Sequence, residues 1–190
     1  MPTIVTSVLL GLGLAASCGL RTFLPLLMLG VAGRFHLAGI ALNEHLAWVA
    51  STPSLVALGL AAVAELAADK VPIVDHGLHL VGSVTRPAAG ALAAAAVFQH
   101  ADPGTATLIG LMIGAPTAFG VGAVQAGTRL ASTAMTGGLA NPVVSAAEDL
   151  LTFGLAALSM LAPLLIPLLL LILALVLWRL RRRKRPAPSR

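Results

Sequence analysis

The chain has 190 residues, 58% of them hydrophobic and 10% charged, whereas a soluble domain carries about a quarter charged residues. No water-soluble fold of this length hides so much apolar side chain. The formal charge of +5 is concentrated at one end, since seven of the twelve basic residues stand in "RLRRRKRPAPSR", residues 179–190.

Apolar runs recur at Val5–Leu20, Thr22–Ala32, Ser54–Ala68, Pro87–Phe98, Thr105–Ala126 and Pro142–Trp178. Several approach the roughly 20 residues that cross a bilayer. The alternation of a transmembrane β-barrel is absent. The fold class expected is therefore all-α, a polytopic transmembrane helical bundle of about six spans over residues 1–178, followed by a basic cytoplasmic tail at 179–190. Ala, Gly and Leu dominate and Tyr is absent, so small residues let helices approach closely in lipid.

The first element runs from about Thr3 to Gly33, which as one helix would exceed about 40 Å. A break near Gly19 or Pro25 is expected. "RFHLAGIALNEHLAWVASTP" reads as an exposed connection with a short amphipathic piece carrying Trp48. Ser51, Thr52, Pro53 and Ser54 give start signals for a second helix to about Lys70, where Pro72 interrupts. Ile73 to Val84 reads as a short mixed segment, and Arg86-Pro87 opens an Ala-rich third span. "HADPG" is a turn. A fourth span follows from Thr105 to about Ala126, leading into "GTRLASTAMTGGLANP", and Pro142 opens a fifth. Pro163 and Pro167 divide the remaining tract so that a sixth ends at Trp178, a residue suited to the headgroup level.

Six spans put both termini on one side, and the basic tail assigns that side to the cytoplasm of a bacterial inner membrane. Lys70, Arg86 and Arg129 fall on the same side, whereas the outer connections offer chiefly Arg34. Beside a bilayer the basic run is a topology signal that contacts anionic headgroups, not a nucleic-acid patch. "LGLAASCGL" resembles a lipoprotein processing site, but "MPTIVTS" lacks a basic n-region and apolar sequence resumes at once. Cys18 is thus expected as a small buried thiol in an uncleaved helix, with no internal disulfide.

Sliding the chain by 108 residues sets Ala15, Gly19, Arg21, Gly30 and Ala32 over Ala123, Gly127, Arg129, Gly138 and Ala140. Each Gly-x-Arg falls where a span ends and a Gly-punctuated half-segment begins. Two inverted three-span halves, residues 1–100 and 104–178, with broken helices would follow. The acids fit this less well, because Glu65 and Glu148 stand at unequal distances from their arginines.

The stretch "ELAADKVPIVDHGLHLVGSVTRP" is the densest in polar residues. Glu65 and Asp69 are one turn apart and share a helix face. Two ionised acids that close in a low-dielectric place repel unless a cation intervenes. Lys70, Arg86, Arg21 and Arg129 are the available cations. Charges inside spans are costly and face the protein interior or a water-filled path. Arg21, Glu65, Asp69, Arg86, Arg129 and Glu148 are accordingly the candidates for a substrate-binding or gating cluster, with Arg129 paired to Glu65 or Glu148. The alternative for Asp69, Lys70 and Asp75 is a place at the interface, snorkelling into headgroups. Asp75, His76 and His79 offer donors, yet no paired metal-ligand signature is present. His36, His45 and His100 lie in outer connections. No nucleophile elbow or nucleotide loop appears, so no catalytic residue, metal or cofactor is assigned.

"CGLRTFLPLL", "AELAADKVPIVDHGLHLVGSVTRPAAGAL" and "AEDLLTFGLAALSMLAPLL", with the G-T-R segment, together resemble the bacterial membrane family catalogued as domain of unknown function 4126. The resemblance covers nearly the whole chain up to the basic tail. It rests most on E-x-x-x-D-K-x-P-x-x-D, the R-P pair and G-T-R. It implies an integral membrane protein and supplies no chemistry. The leading functional expectation is a small transporter or channel-like protein taking a small solute. The alternatives are a structural or assembly subunit of a membrane complex and, third, an intramembrane lipid-modifying enzyme. Partners compatible with the class are membrane lipid, a small solute and a second copy of the chain.

Overall fold

A computed structural model describes residues 4–68 and 72–169 together with 171, 172, 175 and 179, and describes residues 72–80 by backbone alone. Asp69, Lys70, Trp178 and the tail beyond Arg179 lie outside the described residues, as do the side chains of Asp75, His76 and His79. All regular structure among the described residues is helical.

Helix α1, Ile4–Leu20, ends at a break, and α2 follows at Phe23–Phe35. The break comes where the sequence places it, because Pro25 has no N–H for the Arg21 carbonyl and a continuous helix would lose that bond. Two short 3₁₀ turns, Leu37–Gly39 and Glu44–Ala50, form the connection to α3, Thr52–Ala68. This connection is exposed over much of its length, but Asn43 within it is buried. The Asn43 carboxamide donates to the Phe98 carbonyl at 2.8 Å and the Ala101 carbonyl at 2.9 Å, tying the loop to the chain beyond the next helix.

That helix, α4, runs unbroken from Pro72 to Ala96 with Pro87 inside it. The expected start of a span at Arg86-Pro87 is therefore corrected. One proline removes a single donor, and a helix packed among neighbours tolerates that loss. After a turn capped by Asp102, α5 (Pro103–Ile109), a π-helical turn (Gly110–Gly114) and α6 (Ala115–Thr136) form one continuous helical stretch. The expected end near Ala126 is also corrected. The helix ends ten residues later, at Thr136, before Gly137 and Gly138, whose φ values of +62° and +90° suit a left-handed helix cap. α7 spans Asn141–Leu161, with Pro142 in its first turn as expected. Pro163 then begins a short 3₁₀ turn, Pro163–Leu165.

α1 is the central helix and packs on α4, α6 and α7. Leu14, Cys18, Ala93, Ala96, Ala118 and Ala156 form the middle of the core, and Cys18 is a buried free thiol. At the crossing of α4 with the π-turn the backbones touch. A Cβ on Gly90 would lie 2.8 Å from the Gly114 carbonyl oxygen, so any side chain there would push the helices apart.

Two helical stretches are long and apolar enough to cross a membrane, Pro103–Thr136 and Asn141–Leu161, and a third candidate is the pair Glu44–Ala50 and Thr52–Ala68, bent by 58°. The distribution of side chains points the same way. Leu130 is 70% and Leu150 74% exposed, while Arg21 is 1% and Glu148 6% exposed. Apolar outside and charged inside is the arrangement that a lipid solvent selects.

Candidate functional site

The α1–α2 break leaves carbonyls on one side and N–H groups on the other without their helical partners. Tertiary side chains reach groups on both sides. On α3, Glu65 accepts from the Thr22 N–H at Oε1, 2.8 Å, and from the Phe23 N–H at Oε2, 3.1 Å. A carboxylate thus sits on the positive end of α2, the end that favours an anion. On α6, Gln125 donates through Nε2 to the Leu20 carbonyl at 3.2 Å, at the negative end of α1.

The same Gln125 nitrogen also donates to Glu148 Oε2 at 2.8 Å, and its Oε1 accepts from Arg86 Nη1 on α4. Glu148 is the hub of the cluster. Its Oε2 lies 2.7 Å from Arg129 Nη2 and 3.1 Å from Arg129 Nε. Arg21 Nη2 stands 3.9 Å from that oxygen, 2.6 Å from Asp149 Oδ1 and 2.9 Å from the Ser145 hydroxyl it donates to. Arg21, Arg129, Gln125, Ser145 and Glu148 are all buried. An arginine held in this way is charge-assisted at several donors, which offsets part of its desolvation.

Five of the six candidate residues therefore meet around the break. Arg129 pairs with Glu148 rather than Glu65, which instead holds the α2 N-terminus. The sixth candidate, Asp69, lies outside the described residues. Sequence reasoning passed over Gln125, Ser145 and Asp149. Gln125 stands one turn before Arg129, and Ser145 one turn before Glu148, so each shares the buried face of its helix with a charged residue. That spacing was the available signal. Arg21 lies in the break between α1 and α2, while Arg129 lies inside continuous α6. The two Gly-x-Arg segments thus differ in backbone setting although both side chains reach Glu148.

Residues 8–183 match the family described as Domain of unknown function, DUF4126. The chain belongs to that family. No curated protein and no solved structure matches it.

In this DUF4126 chain two clefts border Arg86. One, of about 280 Å³, lies between α2, α3 and α4 and is lined by Thr22, Phe23, Ala64, Glu65, Thr85 and Arg86 among others. The other, of about 120 Å³, lies between α4 and α6 beside Pro87 and Gly122. Among the described residues no three His, Cys, Asp or Glu side chains group as metal ligands. The chemistry on offer is recognition of charge and hydrogen-bonding groups at a broken helix.

Proposed function

We propose that this DUF4126 protein is a small transporter or channel-like protein whose solute passes beside the charged cluster at the α1–α2 break. The observation that carries this reading is the cleft of about 280 Å³ that Glu65, Arg86 and the α2 N-terminus line together. Broken helices with ends turned toward a cavity are the usual site architecture of small carriers. The finer reading belongs to the same proposal: about six crossings of a bacterial inner membrane, two related halves, both termini cytoplasmic and the basic tail on anionic headgroups. The charge of residues 179–190 supports the orientation. Reporter fusions after Arg190 and near Glu44 test it, and periplasmic activity at the first would reverse it.

The transport reading requires water in the cleft. Thr85 lines it, and the native Cys18 is buried and silent. Thr85→Cys in native membranes should react with a charged, membrane-impermeant thiol reagent, whereas Ala94→Cys in the core should not. An unreactive Thr85→Cys would overturn transport. It would favour the second reading, a structural or assembly subunit, which draws on the close pairing of Arg129 with Glu148 and of Arg21 with Asp149.

A further inference from the structure

The three guanidinium groups of the cluster are not equally served. Arg129 is paired with Glu148, and Arg21 with Asp149. Arg86, among the described residues, has no carboxylate within ion-pair distance, and its one hydrogen-bond acceptor is the neutral carboxamide oxygen of Gln125. Its Nε is buried without an acceptor. A guanidinium carries five N–H donors and does not shed its proton, so unfilled donors in an apolar setting are costly.

Glu65 shares the cleft with Arg86 but is committed elsewhere, one oxygen to each of the Thr22 and Phe23 N–H groups. The partial positive charge of the α2 N-terminus already draws on that carboxylate. Among the described residues, guanidinium and helix end together exceed the single negative charge between them, so negative charge and acceptors are in short supply there. On the α3 side Ala61, Ala64 and Ala68 line the cleft, with Phe23 and Val81 adding further apolar surface, which strengthens any charge interaction made there.

We infer that the cleft between α2, α3 and α4 binds a small oxyanion, a carboxylate or phosphate group held by the Nη donors of Arg86 that Gln125 does not take. The planar fork of arginine matches two oxygens of such a group. A volume of about 280 Å³ is near the lower end of ligand pockets, which suits a small solute or a single headgroup rather than an acyl chain. The inference rests on the transport reading and specifies its substrate class. The same chemistry is offered by a free solute and by the phosphate of a lipid.

The test uses the purified full-length protein in neutral detergent and follows thermal unfolding. Inorganic phosphate and acetate are compared with chloride at matched ionic strength, and dihexanoyl phosphatidylglycerol is added in a separate arm. Either free oxyanion should raise Tm by on the order of 5 °C, and Arg86→Gln should lose the shift. Because Arg86→Gln also breaks the bond to Gln125, Gly82→Asp provides a second variant. A Cβ at position 82 would lie 3.2 Å from Arg86 Nε, so this change supplies an internal counter-ion. Gly82→Asp should unfold at or above the wild-type temperature and ignore phosphate. A response to phosphate or acetate that both variants lose assigns the site to a free solute. The same pattern with phosphatidylglycerol alone assigns it to a lipid headgroup. No response to any probe, or a response unchanged in Gly82→Asp, overturns the oxyanion site. When Thr85→Cys is reactive and the oxyanions are without effect, the substrate class fails while the open cleft stands.

Discussion

Glu65 Oε1 lies 2.8 Å from the backbone nitrogen of Thr22, 43 positions away in the chain, so a carboxylate on α3 caps a helix that it does not belong to. An N-terminal cap usually comes from the residue at the helix start. Here Thr22 makes no side-chain cap bond, and the task passes to a neighbouring element. The orientation of α2 and the position of α3 are thereby coupled through one acidic side chain.

Glu65→Ala should leave the Thr22 and Phe23 N–H groups without this acceptor and cost about 1–3 kcal/mol for each group left unsatisfied. Glu65→Gln keeps one acceptor oxygen and should show a smaller loss. Thermal unfolding in detergent measures both, and a wild-type Tm for Glu65→Ala would mean that the cap contributes nothing.

Arg129→Ala and Glu148→Gln each strand a buried partner and should each lower stability by about 3–5 kcal/mol. Since they break one interaction, the double variant should lose less than the sum of the two. Strict additivity in a double-mutant cycle would show that the two side chains are not energetically coupled.

Asp102, in the connection before α5, accepts from the Thr105 N–H at 3.0 Å. Hydrogen bonding from Thr105, side chain first and backbone second, holds its carboxyl below the ordinary carboxylate value. A depressed native pKa stabilises the fold above the unfolded value of about 3.9 and is lost as pH falls through the lower native value. The first turn of α5 should therefore fray on acidification. Asp102→Asn should remove that acid-side dependence while keeping an acceptor, as read from amide exchange at Thr105 across the titration.

Much of the architecture was legible because lipid imposes a simple rule on composition. The start of α3 at Thr52, the turn at Asp102, the start of α7 at Asn141 and the break between Gly19 and Pro25 all follow from local signals. Local signals failed where packing decides. Pro87 looked like a helix start and lies inside α4. Gly127 looked like a helix end, yet with open space around its Cβ position and no positive φ it is simply a residue of α6. The real stop was the Gly137-Gly138 pair.

For the site, burial of charge was readable from Arg129 and Glu148 standing in apolar sequence. The division of labour among the acids was not, because it depends on which helices touch. α2 packs along α3, which brings Glu65 to the α2 N-terminus, whereas α6 and α7 bring Arg129 and Glu148 together. Gln125 was overlooked because an uncharged amide carries little weight beside arginines. Its two donor contacts and one acceptor contact nevertheless join α1, α4 and α7.

The bare crossing of Gly90 and Gly114 gives α4 a fulcrum. Only small residues meet there, Gly90 and Ala94 against Gly114 and Ala118, so a tilt of α4 about this point would meet less side-chain resistance than at a crossing of large residues. Arg86 is one turn from that point, on a short arm of about 6 Å, and Pro72 is at the end of a long arm of about 27 Å. A tilt that swings Pro72 by about 4 Å displaces Arg86 by only about 1 Å. A tilt of this kind would widen the gap between α3 and the far end of α4 while moving Arg86 little from Gln125.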